Sequence, residues 1–549
     1  MRQIVGEMKN LIKKYLAEEP NESYRQEIMD LEKNNNTTEL LKRLNGNWQF
    51  GTAGIRAKIG AGYTHFNSVS VSKIIYAFGL ILKPESRISI GFDNRQYSRD
   101  YAHLAAQILK AQGHECLIFK NVIPTPVCAF SILKLKADAG IMITASHNPT
   151  QYNGIKIYNK NSIQIKYPQT KLIESKIKTA PNYLAIPKNN STIKYIENFV
   201  YDSYISAITG FLKPSNYKKD FCIIYTPIHG TGTPFVTKTL NKVGFKNIHI
   251  VTPQAIPNGK FPTVEFPNPE EPSTLKLAID LAKRINADLV LANDPDSDRL
   301  AVWIKNKVLT GNEIGILLAN HLIETRAKSK KKLLVISTLV SSRMLSKIAK
   351  YHNIAYSETA TGFANMAHEA FVREIDFNEK FLFGYEEALG YCVGNTVRDK
   401  DGIAAAVAFA QLFSKLYSEN KTILEELDRL YLLHGLHVTD SWYLISSNSS
   451  KDILTEVDLV INKNSSVLKL IKRRSEIKGL LTYSGNNKLR LIIRKSGTED
   501  KIKFYAEITS YPKSRIELKT QIDLLNRSLK QTKKLIINII NKEIESVYI

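Results

Sequence analysis

The chain has 549 residues, 43% hydrophobic and 23% charged, which excludes disorder as its dominant state and supplies apolar material for several cores. Its four cysteines, Cys116, Cys128, Cys222 and Cys392, stand far apart without a CxxC pair, so a disulfide scaffold and a thiolate zinc site are disfavoured and a reducing, cytoplasmic setting is expected. Lys and Arg number 76 against 52 Asp and Glu, and the formal charge of +24 attracts anions of any kind. The basic residues are spread along the chain, with small clusters at 328–332 and 472–474, so a solvated basic surface accounts for them and charge alone selects no partner.

The first twenty residues carry charges throughout and lack the apolar core of a signal peptide; residues 1–44 are expected to form a helical extension. From about residue 70 helix-like and strand-like units alternate. VSVSKIIYAFGLILK predicts a helix, RISIGFD a buried strand, and RDYAHLAAQILKAQG a helix closed by Gly113. ECLIFK then predicts a strand, TPVCAFSILKLK a helix, and ADAGIMITAS a strand ending in a polar loop. That βαβα rhythm implies a mainly parallel sheet with helices on its faces, whose ligands gather beyond the carboxyl ends of the strands.

The rhythm returns twice. FCIIYTPIHG, NIHIVT and ADLVLAND read as strands around the helical TPFVTKTLNKVG and TLKLAIDLAKRIN; LLVIST, IAYSET and EKFLFGYE enclose two helical stretches near 333–383. The last hundred residues differ, with strands LLTYSG, KLRLIIR and KIKFYAEIT before the long polar helix IELKTQIDLLNRSLKQTKKLIINIINK. The expected fold class is α/β: three related α/β domains with mainly parallel sheets plus a smaller α+β C-terminal domain, divided at 1–195, 196–304, 305–425 and 426–549. Linkers are expected at 178–194, after Val302 and around SENKTILEEL. The longest apolar stretches, 74–82 and 404–413, fall far short of the about 20 residues that span a bilayer, so no membrane association is expected.

Four segments can carry chemistry. LVLANDPDSDRLAV (289–302) runs an apolar strand into Asp294, Asp296 and Asp298, and Pro295 turns the chain into a curled loop. Carboxylates about 4 Å apart repel by ~1 kcal/mol per pair in water and ~4 kcal/mol at an effective dielectric of 20. The cluster therefore calls for a cation, and all-oxygen ligands suit Mg²⁺ or a similar hard ion; the alternative is a solvated acidic turn. A calcium loop is disfavoured, because Arg299 and Lys305 stand where Gly and Glu are needed. GIMITASHNPTQYNGIKIY (140–158) delivers Ser146 into a loop, either as a covalent carrier or as a helix cap, and no GxSxG elbow accompanies it. LRLIIRKSGTEDKIKFY (489–505) offers Arg494, Lys495, Ser496, Thr498 and Lys501 around Gly497, a phosphate cradle or a basic hairpin turn. FLFGYEEALGY (381–391) presents Glu386 and Glu387 to sugar hydroxyls or to solvent, followed by VRDKDG (397–402). HGTGTPF (229–235) has Phe235 where a dinucleotide fingerprint needs its third glycine, which leaves nicotinamide binding unsupported. FGTAGIRAKIGAG (50–62) packs glycines around Arg56.

Taken together, TASHNP, DPDSDR, GYEEALG and RKSGTEDK resemble, in order, the phosphoserine, metal, sugar-binding and phosphate-binding loops of the α-D-phosphohexomutase superfamily, over about residues 45–510. FGTAGIR, FPTVEFPNPEE, LANDPDSDR, EEALGY and RDKDG are most similar to its branch of phosphoglucomutase-2-type enzymes and mammalian-type phosphopentomutases. The resemblance implies four domains around a central cleft and a phosphoryl exchange through a sugar bisphosphate such as glucose 1,6-bisphosphate. It implies that Ser146 carries the phosphoryl group and that Asp294, Asp296 and Asp298, with a phosphoserine oxygen, hold Mg²⁺. It gives Arg56 and Arg299 the charge on the transferring group, Lys156 or Lys400 the proton transfer, and His147 the ordering of the loop. Glu386 would meet sugar hydroxyls, Thr361 and Gly362 match the TGF loop, and Arg494, Ser496, Gly497, Thr498 and Lys501 would grip the distal phosphate.

The chain departs from the family pattern at Ala364, where the TGF loop usually continues with Lys, and at Ala388, where many relatives have Ser; Lys495 and Asp500 stand where many have Pro. The expected activity is a phosphosugar mutase, glucose 1- and 6-phosphates first, with phosphopentomutase or phosphomannomutase as alternatives. Impaired reorientation would instead give bisphosphate synthesis or slow phosphatase leakage. A basic nucleic-acid-binding protein is the reading from another class; scattered charges and intact catalytic loops argue against it. The sequence leaves the oligomeric state open and is compatible with a monomer.

Overall fold

The computed structural model describes residues 2–326, 332–446, 453–473, 477, 479–496, 501–544 and 547–548. The chain divides into two units, one of residues 1–311, 362–371 and 388–414, the other of 312–361, 372–387 and 415–549.

The first unit begins with the expected helical extension, Arg2–Glu18, Glu22–Lys33 and Thr37–Leu44, which buries Met8, Ile12, Tyr15, Ile28, Leu40 and Leu44. Asn21 and Asn36 cap the second and third helices, each accepting a backbone N–H that the first turn leaves without a partner. Six strands follow: β1 (Ile55–Lys58), β2 (Arg87–Phe92), β3 (Glu115–Phe119), β4 (Ala139–Ile143), β5 (Tyr152–Asn159) and β6 (Lys194–Ile196), in the sheet order β1-β5-β4-β2-β3-β6. Strands β4, β2, β3 and β6 are parallel, while β5 and β1 add an antiparallel edge. Helices Ser68–Gly79, Ser98–Ala111 and Thr125–Lys134 supply the crossovers that parallel pairing requires.

A second sheet repeats the plan with β7 (Ile223–Thr226), β8 (Ile248–Ile250), β9 (Leu289–Ala292), β10 (Ala301–Ile304) and β11 (Lys307–Val308), ordered β11-β10-β9-β7-β8. Here β8, β7 and β9 are parallel, and β10 and β11 return antiparallel. Strand β10 thus continues past Val302 to Ile304, and the expected loop is a tight turn at Lys305 and Asn306.

In the second unit β12 (Leu333–Thr338) lies between β13 (Ala355–Thr359) and β14 (Lys380–Glu386), all parallel. Strand β15 (Gly390–Val393) falls in the first unit. The C-terminal sheet is antiparallel, in the order β17-β18-β19-β20-β16-β21, built from β16 (Leu436–Ser446), β17 (Leu470–Arg473), β18 (Leu480–Gly485), β19 (Arg490–Lys495), β20 (Lys501–Ser510) and β21 (Val547–Tyr548). The helix Arg515–Glu543, capped by Ser514, packs on this sheet. SENKTILEEL is not a linker. Thr422 and Glu425 form a reciprocal capping box that starts the helix Ile423–His434. Among the described residues no helix is long and apolar enough to cross a membrane.

Candidate active site

The loop after β4, which ends at Ile143, carries Ser146, and the loop after β9, which ends at Ala292, carries the three aspartates. Ser146 Oγ donates to Asp294 Oδ2 at 2.7 Å. Ligand oxygens of Asp294, Asp296 and Asp298 all lie within 4.8 Å of one another, and all three residues are buried. Asp296 Oδ1 and Asp298 Oδ1 are buried with no hydrogen-bond partner. Orphaned carboxylate oxygens in so small a volume suit a hard cation, so this donor set fits Mg²⁺. Both loops hold a serine in the left-handed region, Ser146 at φ 52° and Ser297 at φ 57°.

The glycine-rich segment 229–235 backs the aspartate loop. A Cβ on Gly230 would lie 2.3 Å from the Pro295 carbonyl oxygen, and the Thr231 N–H donates to that oxygen at 2.9 Å. Thr125, at the start of a helix, donates its hydroxyl to Asp296 Oδ2 at 2.7 Å and its N–H to the Asp296 carbonyl at 2.8 Å.

Lys156, on β5, is fully buried and donates to Asp296 Oδ2 and Asp298 Oδ2, each at 2.7 Å. Lys400 Nζ stands 3.3 Å from the same Asp298 oxygen and over the Phe363 ring. Burial acts to lower the Lys156 pKa, but Asp296, Asp298 and Asp399 outweigh it and hold the pKa above the usual lysine value. Within the triad, burial followed by the Asp298 and Asp296 charges pushes Asp294 well above the usual carboxylate range. Burial would raise Asp296 too, but Lys156 overrides it and keeps that carboxyl ionised.

Arg56 donates to Asn148 Oδ1 at 2.9 Å. The Arg299 N–H donates to Asp294 Oδ1 at 2.9 Å, and its guanidinium pairs with Glu270 at 3.0 Å. His147 Nδ1 lies 3.2 Å from Ser146 Oγ, and its Nε2 lies 3.4 Å from Arg299. Burial, then Arg299 and Arg56, push the His147 pKa well below its usual value. Gly362 belongs to this unit, at φ 108° beside Thr52.

The remaining candidates lie in the second unit. Arg494 donates to the Tyr505 hydroxyl at 3.0 Å, and burial followed by the Glu387 charge raises that phenol, with Arg494 opposing and Glu386 adding. Arg494 and Glu386 therefore share one neighbourhood around Tyr505. Glu387 accepts from Thr338 and Ser341. The Ser496 N–H donates to the Lys501 carbonyl at 2.8 Å, and Lys501 lies over the Tyr443 ring. Thr361, next to Gly362 in the chain, is also in this unit. Gly497 and Thr498 lie outside the described residues.

Sequence reasoning missed the contacts of Thr125, Tyr505, Thr144 and Arg95, the last two of which bond the Ser146 N–H and carbonyl. Thr125 and Arg95 follow the ends of parallel strands, which is the signal that could have found them.

Three models of the phosphoglucomutase/phosphomannomutase α/β/α domains, I, II and III, match residues 47–184, 202–307 and 310–431. The chain belongs to this family. The family assignment bears out the resemblance to the α-D-phosphohexomutase superfamily and makes the chain an enzyme of intramolecular phosphoryl transfer. Among the family's members, the phosphopentomutase of Homo sapiens is 34% identical over 543 residues, covering 87% of each chain. The phosphoglucomutase of Staphylococcus aureus (strain MRSA252) is 32% identical over 405 residues, covering 71% of this chain and 72% of its own. The crystal structure of the exocytosis-sensitive phosphoprotein pp63/parafusin (phosphoglucomutase) from Paramecium, open form, shares the fold at a TM-score of 0.66 and 18% identity, over 89% of this chain and 95% of that one.

Proposed function

We propose that the chain interconverts sugar 1-phosphates with their terminal phosphates, glucose 1- and 6-phosphate first, through phosphorylated Ser146 and a sugar bisphosphate. One observation carries this reading: a nucleophilic hydroxyl sits 2.7 Å from a buried carboxylate triad with oxygens to spare. A hard divalent cation such as Mg²⁺, held by Asp294, Asp296, Asp298 and an oxygen on Ser146, would offset charge on the transferring group.

The chain's own residues supply the rest. The P–O bond to Ser146 breaks as a sugar hydroxyl oxygen bonds phosphorus, so Ser146 Oγ needs a proton and the hydroxyl must lose one. The proton that the sugar hydroxyl loses balances the one that Ser146 Oγ gains, and Lys156, or Lys400 as the second candidate, is the general acid/base that passes it. Arg56 and Arg299 face the developing charge, and His147 orders the loop. Glu386 accepts from sugar hydroxyls, with Thr361 and Gly362 in support. Arg494, Ser496 and Lys501, together with Gly497 and Thr498, hold the non-reacting phosphate. The four domains are divided at 195, 304 and 425.

Pentose 1- and 5-phosphates form a second reading, favoured by the phosphopentomutase likeness over 87% of both chains against 71% for the phosphoglucomutase. A coupled assay of glucose, mannose, glucosamine and ribose 1-phosphates with one preparation separates them. Glucose 1-phosphate is expected to give the highest kcat/KM; a tenfold preference for ribose 1-phosphate selects the pentose reading, and no turnover with any of them rejects mutase action.

A further inference from the structure

Ser146 occupies a left-handed backbone conformation, φ 52°, that a residue with a side chain rarely adopts and that persists only where its surroundings over-determine it. Two contacts do so from either side. Thr144 Oγ1 accepts the Ser146 N–H at 2.8 Å, and Arg95 Nη2 donates to the Ser146 carbonyl at 2.6 Å. The same guanidinium reaches further: Nη2 also donates to the Asn148 carbonyl, and Nη1 donates to the carbonyls of Pro149 at 2.8 Å and Tyr152 at 3.0 Å. One planar group thus ties three carbonyls of the turn after β4 to that of Tyr152, the first residue of β5.

Arg95 is itself fixed. Asp93, immediately after β2, accepts the Arg95 N–H at 3.0 Å through Oδ1 and sets Oδ2 3.4 Å from Nε. Ser98 donates to Asp93 Oδ1 at 2.6 Å, and the Phe261 ring lies against the guanidinium. Burial draws the Arg95 pKa down to about 10, with Asp93 opposing, so the group stays charged at neutral pH.

We propose that Arg95 is a positioning residue for phosphoryl transfer, holding the Ser146 backbone in its strained conformation so that Oγ stays at the carboxylates. This rests on the function proposed above. Arg95 acts through the loop, by its bonds to backbone carbonyls. A lysine, with one nitrogen, cannot bridge four carbonyls, and a neutral side chain leaves them buried without donors. Misplacing a reacting atom by about 1 Å can cost on the order of 10²-fold in rate.

The test compares the full chain with Arg95→Lys and Arg95→Ala. Folded R95K is expected to lose at least tenfold in kcat and R95A at least a hundredfold, each with KM within threefold of wild type. Wild-type kcat in either folded variant, or a loss confined to KM, overturns the proposal. A second measurement uses the unsubstituted protein labelled with ¹⁵N-arginine. Distinct, slowly rotating Nη signals are expected for Arg95, and a freely rotating guanidinium overturns the proposal even if neither variant folds. It needs no turnover, so a wild-type protein inactive on every sugar phosphate defeats the functional reading separately.

Discussion

Ser146 and Asp294, 148 positions apart in the chain, meet through one hydrogen bond of 2.7 Å between Oγ and Oδ2. That contact joins two motifs that sequence could only set side by side. It also places a hydroxyl among carboxylates whose like charges are partly balanced by Lys156. A site of this kind is costly when incomplete, because each buried charge depends on the others.

Lys156→Met removes the cation that Asp296 and Asp298 share. Breaking a buried pair from one side typically costs about 3–5 kcal/mol. The melting temperature of the variant is expected to fall markedly in EDTA, and to fall less in excess Mg²⁺ if the aspartates bind it. Equal melting temperatures of variant and parent in EDTA would count against the pairing.

Gly230→Ala places a Cβ 2.3 Å from the Pro295 carbonyl oxygen and 2.4 Å from its Cα, contacts with backbone that cannot rotate away. Overpacking of this sort costs about 1–3 kcal/mol. The aspartate loop is expected to shift, with at least a tenfold loss of kcat and a raised Mg²⁺ requirement. A variant with wild-type kcat and metal response would show that this close approach is dispensable.

These particulars show what a sequence discloses. The four chemical loops were legible because each gathers its reactive side chains within a few consecutive residues, as DPDSDR does, on strands whose apolar runs are plain. Lys156 was visible, but its charge state was not, because Asp296 lies 140 positions away and decides it. Arg95 reaches the Ser146 carbonyl across 51 positions of the chain and Thr125 reaches Asp296 across 171, so no local motif spells either contact. The segment 229–235 lacks the third glycine of a nucleotide loop, and its Gly230 serves a close approach to Pro295 instead. Thr422 and Glu425 spelled a helix start where the surrounding polar residues suggested a linker.

His321 is buried in the second unit, and burial followed by the Lys415 charge pushes its pKa down to about 4, with Glu324 opposing. In the unfolded chain the imidazole takes its proton near pH 6.5. The folded state therefore binds fewer protons between these values, and stability is full above about pH 6.5 and declines as pH falls toward 4. A shift of this size corresponds to on the order of 3 kcal/mol. His65 and His434, also drawn down to about 4, add to the same slope. His321→Leu is expected to flatten the pH dependence of denaturant unfolding by about one proton. An unchanged slope would mean that His321 is protonated in the native protein.

The most direct test is intact-mass analysis of the full chain and of Ser146→Ala after incubation with glucose 1,6-bisphosphate and Mg²⁺, alongside a mutase assay. A single phosphoryl group on the parent, mapped to Ser146, and neither phosphate nor turnover in the variant are the expected results. Full turnover in Ser146→Ala, or phosphate on another residue of an active parent, would contradict transfer through this serine.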